Sequence, residues 1–485
     1  MDVAIGNTTV SNHAQAATGV FHGPVNFSGS SEKRPDRRLR SCRNQIFLTD
    51  PSIDRDEIVR AKGDRTQGTC EWIKENEQFQ SWLRGEHRLL WIRGGPGKGK
   101  TMISVFLSQE LDSNEHQSVV YYFCSGQDEK RRTAAAVLRG LIWQITVQHP
   151  ESINCLLSFF EPSERGFATI ASEETLWHLF NTLCRNISPK RLCCLIDGLD
   201  ECEDDSVYWL SGKLADLNYD SDGCSLSVMV LSRDVSALEG SYCVKLDPDY
   251  NTQVNADVHT FVRSRIQRMS SRLQFTEAFE EYVIRVLMEK SKSTFLWVGF
   301  VVDDLSKKGT CTQIAKALQS LPRGLPAYYA SMLERIEPNS REIAARLLTW
   351  TAMAFKKLSL KALADVLDCQ PSVGITLENV ALDEIAICGP MISADKDGAI
   401  FVHQSAKEYL LRGERDQDPG LDAFRIQPEN AHLCLAQRCL KALSQNSWLQ
   451  YYALLNWPKH ARASGALARH MVEDDEAFFG PSSVT

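Results

Sequence analysis

A chain of 485 residues, 43% of them hydrophobic and 24% charged, has material for about three domains with cores of their own. Its formal net charge of −8 excludes a general electrostatic attraction to nucleic acid or to an anionic membrane. Its 15 cysteines are scattered and form no C-x-x-C pair, which speaks against a disulfide framework or a zinc site and for buried thiols in a reducing, cytoplasmic setting.

No basic region followed by an apolar core opens the chain, so no signal peptide is expected. The apolar run Phe295 to Val302 falls far short of a membrane span. Residues 1–41 are rich in Asn, Ser, Thr, Gly and Ala and end in a basic cluster, the composition of a disordered tail. Within them Asn12-His13-Ala14 and Val20 to Phe27 mix Asn with β-prone residues and carry no acidic charge, as a self-assembling segment would. Pro24 would split it into two short arcs, and both readings stay open. Residues 42–87 follow as a helical segment, with Trp72, Ile73, Phe79, Trp82 and Leu83 as its apolar stripe.

Next comes the apolar strand Leu89 to Ile92, then Gly94-Gly95-Pro96-Gly97-Lys98-Gly99-Lys100-Thr101, then the helical run Met102 to Leu107. Strand, glycine turn and helix are the setting of a phosphate-binding loop. The glycines let backbone N–H groups turn inward around phosphate oxygens, and the helix N-terminus adds partial positive charge. Lys100 would reach the β- and γ-phosphates, and Thr101 would offer its hydroxyl to Mg²⁺.

Through residues 88–248 strands and helices alternate, which predicts an α/β domain with a buried parallel sheet. The strands are Leu89 to Ile92, Val119 to Cys124, Leu192 to Ile196 and Leu226 to Leu231. The helices carry Val137, Leu138, Leu141, Ile142 and Ile145, then Leu176, Leu179, Phe180 and Leu183. The third strand ends in Asp197-Gly198-Leu199-Asp200-Glu201, the Walker B arrangement. Asp197 would hold Mg²⁺, and Asp200 or Glu201 would orient the attacking water. The fourth strand ends in Ser232-Arg233, which places Arg233 where it would sense a γ-phosphate.

Residues 249–338 read as helices. Asn255 would cap the first, Gly309 would close the one through Leu296 to Leu305, and Pro322, Gly324 and Pro326 would mark a linker. Residues 339–414 read as helices followed by a β-hairpin, Met391 to Ala394 and Ala399 to Val402, which describes a winged helix. Ser359 would cap one of its helices, and another begins at Ser405. Residues 413–429 read as polar linker, and Leu433, Leu435, Cys439, Leu440 and Leu443 as a final helical stripe within 415–485.

The phosphate loop, Asp197-Gly198-Leu199-Asp200-Glu201, Ser232-Arg233 and Phe401-Val402-His403-Gln404-Ser405-Ala406-Lys407-Glu408-Tyr409-Leu410 occur in this order. Together they resemble NACHT-type members of the STAND signalling ATPases, and closely the fungal NOD-like receptors, over roughly residues 42 to 475. The resemblance implies a P-loop domain, a helical domain and a winged helix closed over a bound diphosphate, ADP or GDP. Exchange for ATP or GTP would open the molecule into an oligomer and trigger an innate-immunity or heterokaryon-incompatibility-type response. His403 would touch the β-phosphate and hold the resting state, because an imidazole can donate to a phosphate. The family's adenine-stacking proline is missing at Ser293-Thr294-Phe295, so base preference stays open. Residues 12–27 would template a separate effector protein. An alternative is a STAND-type regulator acting on transcription through its winged helix; the acidic chain, with only Lys396, Lys407 and Arg412 near the wing, speaks on electrostatic grounds against a nucleic-acid partner.

Overall fold

The structure, a computed structural model, describes residues 37–113, 117–187, 191–217, 226–247, 251–370, 373–395, 398–416, 418–445 and 447–469. The segment 12–27 lies outside the described residues.

Five parallel strands form one sheet: β1 (Leu89–Arg93), β2 (Gln117–Phe123), β3 (Arg191–Asp197), β4 (Leu226–Ser232) and β5 (Tyr242–Lys245). Their order across the sheet is β2-β3-β4-β1-β5. The first four are apolar on both faces because helices cover both. Leu89, Trp91, Cys194, Ile196, Val228 and Val230 point into one core, under the helices Ala134–Gln148 and Glu173–Asn186. Their alternates Leu90, Ile92, Cys193, Leu195, Met229 and Leu231 point into the other, with Phe106 and Leu107 of the helix Lys100–Asp112. The edge strand β5 escaped the sequence reading because it is four residues long and buries only Val244.

Before the sheet come the helices Arg37–Ile46 and Pro51–Lys62, a 3₁₀ turn Glu71–Glu75 and a helix Glu77–Leu83, and the aromatic stripe is divided between the last two. Asn76 breaks the run and caps the last of them, accepting from Phe79 N. Trp82 Nε1 donates to Val228 O at 2.9 Å, which fixes this segment against β4.

After the sheet one continuous core runs from Val258 to Ala453. Its first helix, Thr252–Leu273, is capped by Asn251; the expected cap, Asn255, lies inside the first turn and instead accepts from Ser293 Oγ at 2.9 Å. Buried Asp257 on this helix accepts from Cys70 N at 2.8 Å and Trp72 Nε1 at 3.0 Å, tying it to the segment before the sheet. The helix Phe295–Ser306 ends at Lys307, ahead of Gly309. The expected linker at Pro322 to Pro326 is instead the start of a helix, Gly324–Glu334; Pro326 falls in the first turn, where no intrahelical N–H bond is lost.

Ser359 caps Leu360–Val366 as its position suggested. The antiparallel hairpin is β6 (Ile392–Asp395) with β7 (Gly398–Phe401), followed at once by the helix Gln404–Leu410. Residues 413–429 are more than a polar linker: they hold a short helix, Pro419–Asp422, and bury Leu421, Phe424 and Ile426 between polar neighbours. The final stripe is the helix Pro428–Leu443, paired with a further one, Gln450–Ala463. That last helix buries Asn456 and His460 alongside Tyr452 and Ala453 and exposes Tyr451, Leu454 and Leu455, so no clean apolar stripe marks it and periodicity did not reveal it. No helix among the described residues is long and apolar enough to cross a membrane.

Candidate functional site

The turn between β1 and the helix Lys100–Asp112 holds Gly94, Gly95, Pro96, Gly97, Lys98 and Gly99. Gly97 has φ +70° and lies so close to Thr294 and Leu296 that a Cβ there would come within 2.9 Å of both side chains. Gly99 has φ +89° and precedes the helix without a side-chain cap, which leaves the first helical N–H groups open to an anion. The turn also accommodates the helical domain: Phe295 N donates to Gly97 O at 2.9 Å, and Lys98 Nζ to Lys292 O at 2.6 Å and Ser293 O at 3.1 Å. Lys98 thus directs its ammonium away from the turn.

Lys100 Nζ curls back on the turn, donating to Gly94 O at 2.6 Å and Gly95 O at 3.1 Å. Burial pulls its pKa below the usual lysine value, and the charges of Asp200 and Asp197 work the other way. A cation held against neutral carbonyls in a buried turn is poised to exchange them for a phosphate.

Asp197 stands at the tip of β3, 4% exposed. Its Oδ1 has no hydrogen-bond partner, and the nearby Thr101 hydroxyl favours its charged form. Burial pushes this carboxyl up to about 6, against the pull of Lys62, Thr101 and Lys100. An orphaned carboxylate oxygen beside a threonine hydroxyl is a donor set that suits a divalent cation such as Mg²⁺.

The neighbouring acids divide. Asp200 accepts from Arg233 N at 2.9 Å and from Arg233 Nε at 2.6 Å. Glu201 makes no such pair; burial pushes it up to about 7, and Asp200 adds to the rise. The guanidinium of Arg233 continues to Glu408, Nη1 to Oε2 2.5 Å. Burial works against its charge, but Asp200 and Glu408 outweigh that and hold it firmly protonated.

His403 approaches from the winged helix. It caps Gln404–Leu410, its Nδ1 accepting from Ser405 N at 3.1 Å and lying 2.8 Å from Ser405 Oγ. Because Nδ1 accepts, Nε2 carries the ring proton. Burial drives its pKa down to about 3, with Lys62, Lys100 and Arg233 pushing the same way, so the ring is neutral. Ser405 Oγ is 2.9 Å from the buried hydroxyl of Tyr329, which props the histidine from behind. One place therefore gathers Lys100, Thr101, Asp197, Asp200, Glu201, Arg233 and His403. The sequence reading missed Lys62, whose charge bears on Asp197, Glu201 and His403, and it missed Tyr329 and the role of Glu408. Lys62 closes a helix, Pro51–Lys62, that precedes the sheet, and nothing in its local pattern marks its destination.

Fold and site together define the class, a phosphate-loop α/β domain whose parallel sheet is followed by helices and a winged helix. Residues 68–233 match the family described as nephrocystin 3, N-terminal, and residues 330–422 that described as GPI inositol-deacylase, winged helix domain. The chain is also similar to a fungal protein of the vegetative-incompatibility type. It is 29% identical over 473 residues to Vegetative incompatibility protein HET-E-1 of Podospora anserina, an alignment covering 91% of this chain and 34% of that protein. The chain thus spans about a third of the length of that curated relative. Among solved structures it is similar to a STAND protein with a tetratricopeptide repeat sensor from Pyrococcus horikoshii (TM-score 0.40, 13% identity, 83% of this chain and 50% of that one). It is also similar to a Walker-type ATPase of Pyrococcus abyssi (TM-score 0.35, 12% identity, 75% and 99%).

Proposed function

We propose that this chain is a nucleotide-driven signalling switch. A nucleoside diphosphate, ADP or GDP, holds the resting form, and ATP or GTP with Mg²⁺ drives an opened, self-associating form. The observation that carries this reading is His403: a residue of the winged helix, held neutral with Nε2–H as its donor, set among Lys100, Arg233 and Asp200 of the sheet domain. A phosphate bound there would be contacted from both domains at once, so its identity would bias how they pack. A near-complete shift between two such packings takes roughly 5.5 kcal/mol of differential binding.

The chain's own groups supply the chemistry of resetting. Lys100 exchanges its carbonyl partners for β- and γ-phosphate oxygens. Glu201, with a carboxyl near neutral pKa, takes the proton of the attacking water. Asp200 fixes Arg233, whose remaining N–H groups meet the terminal phosphate. Mg²⁺, held through Thr101 and Asp197, would neutralise charge on the phosphates. An incompatibility-type response through an effector protein is supported by the likeness to HET-E-1, of which the chain spans about a third.

The test is size-exclusion chromatography with light scattering, first with ADP and then with a non-hydrolysable ATP analogue. A monomer that assembles only with the analogue supports the switch. A monomer in both, with steady phosphate release, would replace it with an ordinary NTPase.

A further inference from the structure

Several side-chain contacts join the winged-helix part to the sheet domain. Gln127 Nε2 donates to Phe401 O at 3.1 Å, Lys356 pairs with Glu129 at 3.0 Å, and Arg233 pairs with Glu408 at 2.5 Å. The last of these engages a residue of the nucleotide site itself. Glu408 lies on the same helix that His403 caps, so one element presents both an imidazole and a carboxylate to the site.

The guanidinium of Arg233 is used on two sides. Its backbone N–H and Nε are fixed by Asp200, and its Nη1 meets Glu408. Asp200 therefore sets where the side chain lies, and the Nη edge is the part that receives an incoming anion. Carboxylate and phosphate are the two anions this fork fits. The pair is half-buried, with Arg233 28% and Glu408 34% exposed, so it is shielded in part but open to exchange.

We infer that the Glu408 carboxylate is a built-in surrogate for the terminal phosphate, and that it sets the preference of the site between nucleoside diphosphate and triphosphate. The inference rests on the nucleotide-switch reading above. A terminal phosphate and Glu408 compete for the Nη edge of Arg233. A diphosphate lacks the group that would displace the carboxylate and leaves the pair intact. By linkage, whatever the triphosphate loses in displacing Glu408, the seating of the winged helix loses in turn.

Calorimetric titration of the full chain tests this, with Mg²⁺·ADP and with Mg²⁺ and the β,γ-imido analogue of ATP. In Glu408→Gln, which keeps the shape and removes the charge, the analogue should bind about tenfold more tightly while ADP changes less than about twofold, one charged contact being worth about that ratio. Lys356→Ala breaks another ion pair of the same interface without touching the site, and should leave the ratio of the two affinities as in the unaltered chain. Equal shifts for both nucleotides in Glu408→Gln, or no shift, would overturn the surrogate and leave the switch reading standing. A changed ratio in Lys356→Ala would also overturn it, because general loosening of the interface would then explain the effect. An unaltered chain that binds neither nucleotide would sink the switch reading and the surrogate together.

Discussion

The phosphate turn and the winged-helix edge of the site are held in different ways. The turn is shaped largely from within: Gly97 and Gly99 take backbone angles open to glycine, and Lys100 donates to carbonyls of its own loop, while Phe295 N and Lys98 join it to the helical domain. The His403 edge is held by partners far along the chain, Tyr329 behind it and Arg233 through Glu408 in front. An edge made of distant contacts can leave as a unit, which is what a two-state element requires.

Breaking the turn should have the largest effect. On the proposed reading Lys100→Ala removes the ammonium that would meet the phosphates, and should raise the Kd for nucleotide at least ~100-fold, beyond the range of a fluorescent-nucleotide titration. Retained binding would refute the loop assignment.

Next comes Glu201. Glu201→Gln should lower single-turnover hydrolysis by ~10²- to 10⁴-fold while nucleotide still binds. In the unaltered chain the hydrolysis rate should climb with pH and level off above about 7, as Glu201 loses its proton. Stability runs the other way. The folded carboxyl keeps a proton that the unfolded chain releases from about 4.5 upward, so this group's contribution declines as pH rises from there to about 7. Glu201→Gln should therefore gain on the unaltered chain in denaturant midpoint across that interval. A constant difference would mean that the carboxyl titrates normally.

His403 has the opposite sign. Its folded pKa is lowered to about 3 from an ordinary 6.5, so its contribution is present above 6.5 and is lost as pH falls toward 3. The two edges of one site thus pull in opposite pH directions. His403→Leu should raise the assembled fraction in ADP by about tenfold, the scale of one coupling contact. Light scattering reads this directly, and an unchanged fraction would remove the histidine from the lock.

The same contrast explains what could be read from the chain. The loop, the Walker B strand and the position of Arg233 are local patterns: a glycine spacing, an apolar run with an acid at its tip, and a strand end. The resemblance brought in His403, which on its own reads as a half-buried histidine. The partners of these residues were not legible. Glu408 meets Arg233, and Lys62 reaches the acids, only because separate domains pack together, and no periodicity encodes that. The division of labour between Asp200 and Glu201 also waited on the fold, because adjacent acids look alike until one is paired and the other buried. In the C-terminal core the misses have another cause. Leu421, Phe424 and Ile426 are isolated anchors among polar residues, and the helix Gln450–Ala463 mixes polar and apolar residues on both its buried and its exposed face.

The smallest effect concerns a helix start, where a one-turn error in reading makes a measurable difference. Asn255 and Asn251 both precede an apolar stripe, and either would suit a cap. Asn251 has extended backbone, and its Oδ1 accepts from Gln253 N at 3.0 Å and Val254 N at 3.4 Å. Asn255 is already helical and serves Ser293, beside the carbonyls that hold Lys98. Asn251→Ala should cost about 1 kcal/mol locally, seen as roughly fivefold faster hydrogen exchange at the amides of Gln253 and Val254. Asn255→Ala should leave those two amides unchanged and act at the loop instead, through the hydroxyl of Ser293. If the exchange effect followed Asn255, the helix would begin one turn later. The junction between sheet and helices would then be set by sequence pattern alone, not by the contact that Asn255 makes across it.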